Sequence, residues 1–159
     1  MSDIKPPAAT GLAVAIVRIL LGGLFIFAGV IKLGDIQGFA FSVKAFEIFP
    51  AEAEHAVRLV TFAVPWTELI IGVMLVLGYW TRGAALLLAA ILAGFVAGIV
   101  SVLARDMNVT CGCFGRFERP CTGPIGVCHV IRNAVLLLGT LFVVWKGPGS
   151  MAIDRQTSR

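Results

Sequence analysis

Four long apolar runs lie near residues 12–33, 57–77, 83–103 and 126–145, separated by more polar connections. Each reaches the roughly 20 residues that a helix needs to cross a hydrocarbon core. Lipid offers the backbone no hydrogen-bond partner, so each run is expected to satisfy its own amides as a helix. Four such helices joined in sequence predict an all-α integral membrane four-helix bundle, a single transmembrane domain over 1–159, with both termini on the same side. Between the first two runs, Phe39, Val43, Phe46 and Phe49 recur at helical spacing, with Lys44 and Glu47 on other faces. That pattern predicts a short amphipathic helix lying on the membrane, ended by Pro50 and capping the bundle over the 104–125 connection.

Small residues predict the helix contacts. Ala15, Gly22 and Gly29 recur every seven positions in the first run, and Ala85, Ala89, Ala93 and Ala97 every four in the third, flanked by Gly94 and Gly98. Such stripes let backbones approach closely, which is how helices associate where lipid removes the hydrophobic drive between them. They are read as packing, not chemistry.

Composition agrees with the pattern: 58% of the residues are hydrophobic and 14% charged, and the mean hydropathy is +0.95. The lipid bilayer is the first partner this implies. The net charge of +4 comes from scattered Lys and Arg without a basic run, which argues against nucleic-acid binding. The start, "MSDIKPPAATG", has no basic n-region and is followed by a long apolar run, so the first helix is expected to be retained. Six basic residues fall on the side of the termini and seven on the loop side, so charge does not orient the bundle.

The four cysteines crowd into "CGCFGRFERPCTGPIGVCH", in the connection 104–125 and the start of the fourth helix. Three pairings are open. A Cys111–Cys113 bond would close a very small ring across Gly112, and strained bonds of that kind are the reducible, catalytic ones. Thr122, Gly123 and Pro124 suit a helix start right after Cys121. Cys128 would then lie about a turn inside the helix, with Arg132 a further turn along, surroundings that favour thiolate. Cys111, Cys113, Cys121 and Cys128 are thus the candidate catalytic residues of a thiol–disulfide oxidoreductase component, one pair in the loop and one nearer the membrane. Two alternatives stay open: structural staples, and a zinc or copper site on the Cys-x-Cys-x7-Cys-x6-Cys-His spacing.

Charges inside the runs add a second signal. Glu68 needs a partner, for which Lys32, Arg58 and Arg132 are candidates, and its role is either a structural ion pair or proton handling. Arg18 is expected to snorkel toward the terminal face. His129 is read as a capping or interfacial residue that could also shuttle a proton. No Gly-rich phosphate loop and no paired haem histidines occur, and no covalently bound cofactor is expected.

The run "VRILLGGLFIFAGVIKL", then "FEIFP", then "VPWTELIIGVMLVLGYWTRGAALLLA" resembles the DoxX-like membrane proteins. The later "CGCFG" and "IRNAVLLL" resemble the MauE branch, named for methylamine utilisation. On this resemblance Cys111, Gly112, Cys113, Phe114 and Gly115 match the cysteine motif, Arg132 and Asn133 the start of the last helix, and Glu68 and Arg82 the second-helix pattern. Cys121 and Cys128 lie outside the motif. The resemblance implies a redox-associated protein of the bacterial cytoplasmic (inner) membrane, with termini cytoplasmic and the cysteine loop periplasmic. It also implies a thioredoxin-like or substrate protein in the periplasm as partner, and a quinone as a candidate electron acceptor. The rival expectation is an accessory transmembrane subunit of a larger membrane complex, its cysteines being staples.

Overall fold

The structure, a computed structural model, describes residues 8–47, 50, 53–107, 109, 121, 124–149 and 152–154. It contains α1 (Ala8–Gly34), α2 (Ile36–Ala45), α3 (Glu54–Leu77), α4 (Thr81–Ala104) and α5 (Val127–Lys146). All but α2 are long and apolar enough to cross a membrane. The outer surface carries large apolar side chains such as Leu20, Leu59 and Leu138, as a bilayer-facing surface should.

Helix α1 packs most closely on α3, and glycine makes this possible. A Cβ added at Gly22 would lie 2.7 Å from the Gly72 carbonyl oxygen, one at Gly72 would lie 2.8 Å from that of Gly22, and one at Gly29 would lie 2.9 Å from that of Pro65. The two backbones are therefore in contact. Leu21, Phe25, Ile71, Leu75, Leu88 and Val143 fill the space that α1 and α3 share with α4 and α5. The α4 stripe expected from sequence is only half used: Ala85 and Ala89 are buried, but Ala93 and Ala97 face outward. At 3.6 residues per turn a four-residue repeat drifts by about 40° per step, so the stripe rotates off the interface before α4 ends.

At one end of the bundle α3 closes on Gly78 (φ 70°), with Tyr79 N donating to Met74 O and Gly78 N to Leu75 O, a Schellman arrangement. Helix α4 has no cap of its own. Asp154, beyond α5, supplies one by accepting from Trp80 N at 2.8 Å and Thr81 N at 2.7 Å. Arg18 reaches the same end but does not snorkel to water. It is 1% exposed, and Nη1 donates to the Pro148 carbonyl at 3.1 Å, because the segment after α5 folds back over it.

At the other end α2 stops at Ala45, before Pro50, so the proline does not end it. Glu47 adopts φ 48°, and the Arg105 guanidinium at the end of α4 donates to the carbonyls of Phe46 and Glu47, taking acceptors that a longer helix would use. Asp35 caps the start, accepting from Gly38 N at 3.0 Å. Phe46 packs with Ile99, Val102, Val109 and Ile125. Phe49 lies outside the described residues.

Two outcomes follow from this packing. Gly72→Ala should destabilise the bundle by about 1–3 kcal/mol through overpacking. Gly94→Ala, where an added Cβ meets nothing within 4 Å, should be neutral or gain up to about 1 kcal/mol from helix propensity. Unfolding in detergent compares them, and equal effects would contradict the glycine contact. The Asp154 carboxyl is pushed up by desolvation, but donors at Thr81 and Trp80 and the charge of Arg18 outweigh this and hold it below its ordinary value. Its stabilisation is therefore present above the unfolded-state value of about 3.9 and lost as pH falls through the lower folded value. Asp154→Asn should cost about 0.5–1 kcal/mol near neutrality, and the gap to the parent should close on acidification; a gap constant with pH would refute the cap.

Candidate functional site

The α5 start is assembled from backbone and cysteine. Ile125 N donates to Val109 O at 2.8 Å, which holds the approach to α5 against the end of the α4 connection. Cys121 and Cys128 are joined as a disulfide, with Cα atoms 5.8 Å apart. The helix begins at Val127 with Gly126 as N-cap in extended conformation, later than expected: the Ile125 amide is committed to Val109, and the bond holds Cys121 beside the helix rather than in it. Cys128 is consequently the second residue of α5, within its first turn. Cys111, Gly112, Cys113, Phe114 and Gly115 lie outside the described residues, as do Thr122 and Gly123.

His129 acts as a cap, as read from sequence. Its Nδ1 accepts from Gly126 N at 3.3 Å, which leaves the proton of a neutral ring on Nε2. Its carbonyl accepts from Asn133 Nδ2 at 2.8 Å. Both side chains are buried. Asn133 lies five positions after Cys128 in the helix, about 7.5 Å along the axis.

At that depth lies the charged centre of the bundle. Lys32 Nζ donates to both Glu68 oxygens, at 2.6 Å and 2.7 Å, and the two residues are 3% and 1% exposed. Of the three partners open from sequence, the structure selects Lys32. Aromatic faces bracket the ammonium, with the Phe39 centroid at 5.3 Å and that of Phe95 at 5.2 Å. Arg132 is near enough to act electrostatically on Lys32. A cavity of about 10 Å³ opens beside the pair, lined by Phe25, Ala28, Leu92, Phe95 and Asn133 as well as the two charges. That is room for about one water.

The sequence comparisons bear on this arrangement. The family model described as methylamine utilisation protein MauE matches residues 10–146. The chain belongs to the MauE family. It is 32% identical over 120 residues to the methylamine utilization protein MauE of Paracoccus denitrificans, covering 75% of this chain and 61% of that protein. It is 33% identical over 93 residues to an uncharacterized membrane protein of Mycobacterium tuberculosis, covering 58% of this chain and 52% of that protein. The chain thus spans between half and two thirds of the length of these curated relatives. No solved structure matches.

In this MauE chain the structure brings Cys128, His129, Arg132 and Asn133 together on the first turns of α5, with Cys121 bonded beside them and Glu68 below. Among the described residues no group of three His, Cys, Asp or Glu side chains is placed to hold a metal ion, and as a cystine Cys121 and Cys128 present no thiolate. Sequence reasoning missed the rings of Phe39 and Phe95. It named Lys32 only as one of three possible partners of Glu68. Glu68→Ala should destabilise by about 3–5 kcal/mol, because Lys32 is left as an uncompensated buried charge. Lys32→Met combined with Glu68→Leu should recover most of that loss. Unfolding in detergent measures both, and a double variant no better than the single would show that charge pairing is not what the position requires.

Proposed function

We propose that this MauE-family protein is a membrane thiol–disulfide redox component that exchanges electrons between a periplasmic thioredoxin-like or substrate protein and the membrane. The observation that carries this is the Cys121–Cys128 bond at the N-terminal end of a membrane helix, joining a buried residue to an exposed one. The peptide dipole of α5 and Arg132 one turn on both favour thiolate at Cys128 once the bond is reduced. In this scheme Cys111 and Cys113 meet the partner and Cys121 and Cys128 pass the electrons on. The acceptor is a quinone or another membrane protein. The cysteine loop faces the periplasm and the termini the cytoplasm of a bacterial inner membrane. The name of the Paracoccus relative suggests service to a methylamine-utilising system.

A second reading is favoured by the outward small residues of α4. Ala90, Ala93, Gly94 and Ala97 are exposed, and such a strip suits a neighbouring transmembrane helix. The protein would then be an accessory subunit of a larger complex, with structural disulfides.

Intact-mass analysis after differential alkylation, across graded glutathione buffers, separates the two. Reversible titration of Cys111–Cys113 and Cys121–Cys128 above roughly −300 mV is expected for a redox component. Bonds that resist to far lower potentials are staples. Cys113→Ser should also abolish exchange with the partner and leave the bundle folded; exchange that survives would remove Cys113 from the scheme.

A further inference from the structure

We infer that Cys128 is the sulfur at which an outside thiol exchanges, and that Cys121 is the buried sulfur that leaves and later re-forms the bond; this rests on the thiol–disulfide role proposed above. Cys121 is 3% exposed, whereas Cys128 is exposed at the start of α5. Around Cys128, Val127 is 68% and Ile131 59% exposed, so its face of the helix looks outward and Cys121 looks inward. A thiolate attacks a disulfide along the sulfur–sulfur axis, so it must reach the far side of the atom to which it bonds. Cys128, the exposed residue of the two, is the one open to an incoming thiolate.

Leaving-group chemistry pulls the other way. At a helix N-terminus Cys128 would be the better-stabilised thiolate and therefore the better leaving sulfur. With a Brønsted coefficient of about 0.5, however, one unit of pKa is worth only about threefold in rate. Attack at Cys121 requires its covering to move aside first. Access therefore outweighs the leaving group.

The step balances without any other reactant. An incoming thiolate forms a bond to Cys128 Sγ, the Cys121–Cys128 bond breaks, and the electron pair leaves on Cys121 Sγ, which takes a proton from water. A second thiolate attacks the incoming sulfur, releasing an oxidised disulfide and the Cys128 thiolate, which is protonated in turn. Two thiols are oxidised and one disulfide is reduced. In the reverse direction Cys128 attacks first and Cys121 closes the bond. In the scheme above the incoming sulfur belongs to the Cys111–Cys113 pair, and it must reach the rim of the bundle beside the apolar side chains of Val127 and Ile131.

The test uses the oxidised protein in detergent with Cys111→Ser and Cys113→Ser, so that Cys121 and Cys128 are the remaining cysteines. Reaction with glutathione, acid quenching at early times and peptide mass mapping locate the adduct. It should lie on Cys128 in about tenfold or greater excess over Cys121. In the same background, Cys121→Ser should accumulate a stable adduct from glutathione disulfide, and Cys128→Ser should react at least about tenfold more slowly. Adducts shared evenly, or favouring Cys121, would overturn the assignment and leave the redox role standing. No adduct on either sulfur, together with bonds that resist the graded buffers, would overturn the redox role and the assignment with it.

Discussion

The ion pair between Lys32 and Glu68 is the constraint around which the loop-side half of the bundle is arranged. Two charges at this depth of a membrane protein each carry a desolvation cost of several kcal/mol, which is recovered only if they meet in good geometry and their remaining hydrogen-bonding groups find partners. The meeting needs α1 and α3 in contact, and Gly22, Gly29 and Gly72 supply the missing side-chain volume that allows it. It also needs a cover. Phe39 from α2 and Phe95 from α4 place ring faces toward the ammonium, where the negative ring face contributes attraction as well as exclusion of water.

That cover explains why a ten-residue amphipathic helix is tied down at both ends. Asp35 fixes its start, and Arg105 takes the carbonyls beyond its end. The same contact sets Phe46 against Ile99, Val102, Val109 and Ile125. Val109 and Ile125 are themselves joined through the backbone, immediately before the turn that carries the disulfide. The lid over the charges and the seat of the Cys121–Cys128 bond are thus parts of one packed layer. A movement of α2 would be felt at both.

Much of this was legible in the chain because lipid restricts what a sequence can do. Runs of apolar residues must be helices, so the four spans were recoverable from hydropathy, with ends a few residues short, as at Ala8, where the helix continues past the apolar core. Glu68 announced itself as an intramembrane carboxylate. Its partner did not, because choosing among Lys32, Arg58 and Arg132 requires the register at which α1 crosses α3. Arg18 showed its direction but not its cover, since the segment after α5 has no periodic pattern to reveal that it folds back to Gly78. The α4 stripe misled for a geometric reason: spacing by four follows one helix face only for about two turns. The start of α5 misled because Ile125 pairs with a residue sixteen positions earlier, which no local signal reports.

Whether Cys121–Cys128 is a staple or a working bond can also be weighed from where it lies. Its partners are seven residues apart, and closing so short a loop removes about 2–3 kcal/mol of chain entropy from the unfolded state, less than a long-range bond would. More telling is what it joins. Both cysteines belong to the entry into one helix, which the Ile125–Val109 hydrogen bond and the Gly126–His129 cap already hold. A bond meant to secure the bundle would tie this loop to α1, α2 or α3, which it leaves untouched. Its opening would loosen a helix entry without separating any pair of transmembrane helices, which is the property a disulfide needs if it is to break and re-form in a folded membrane protein.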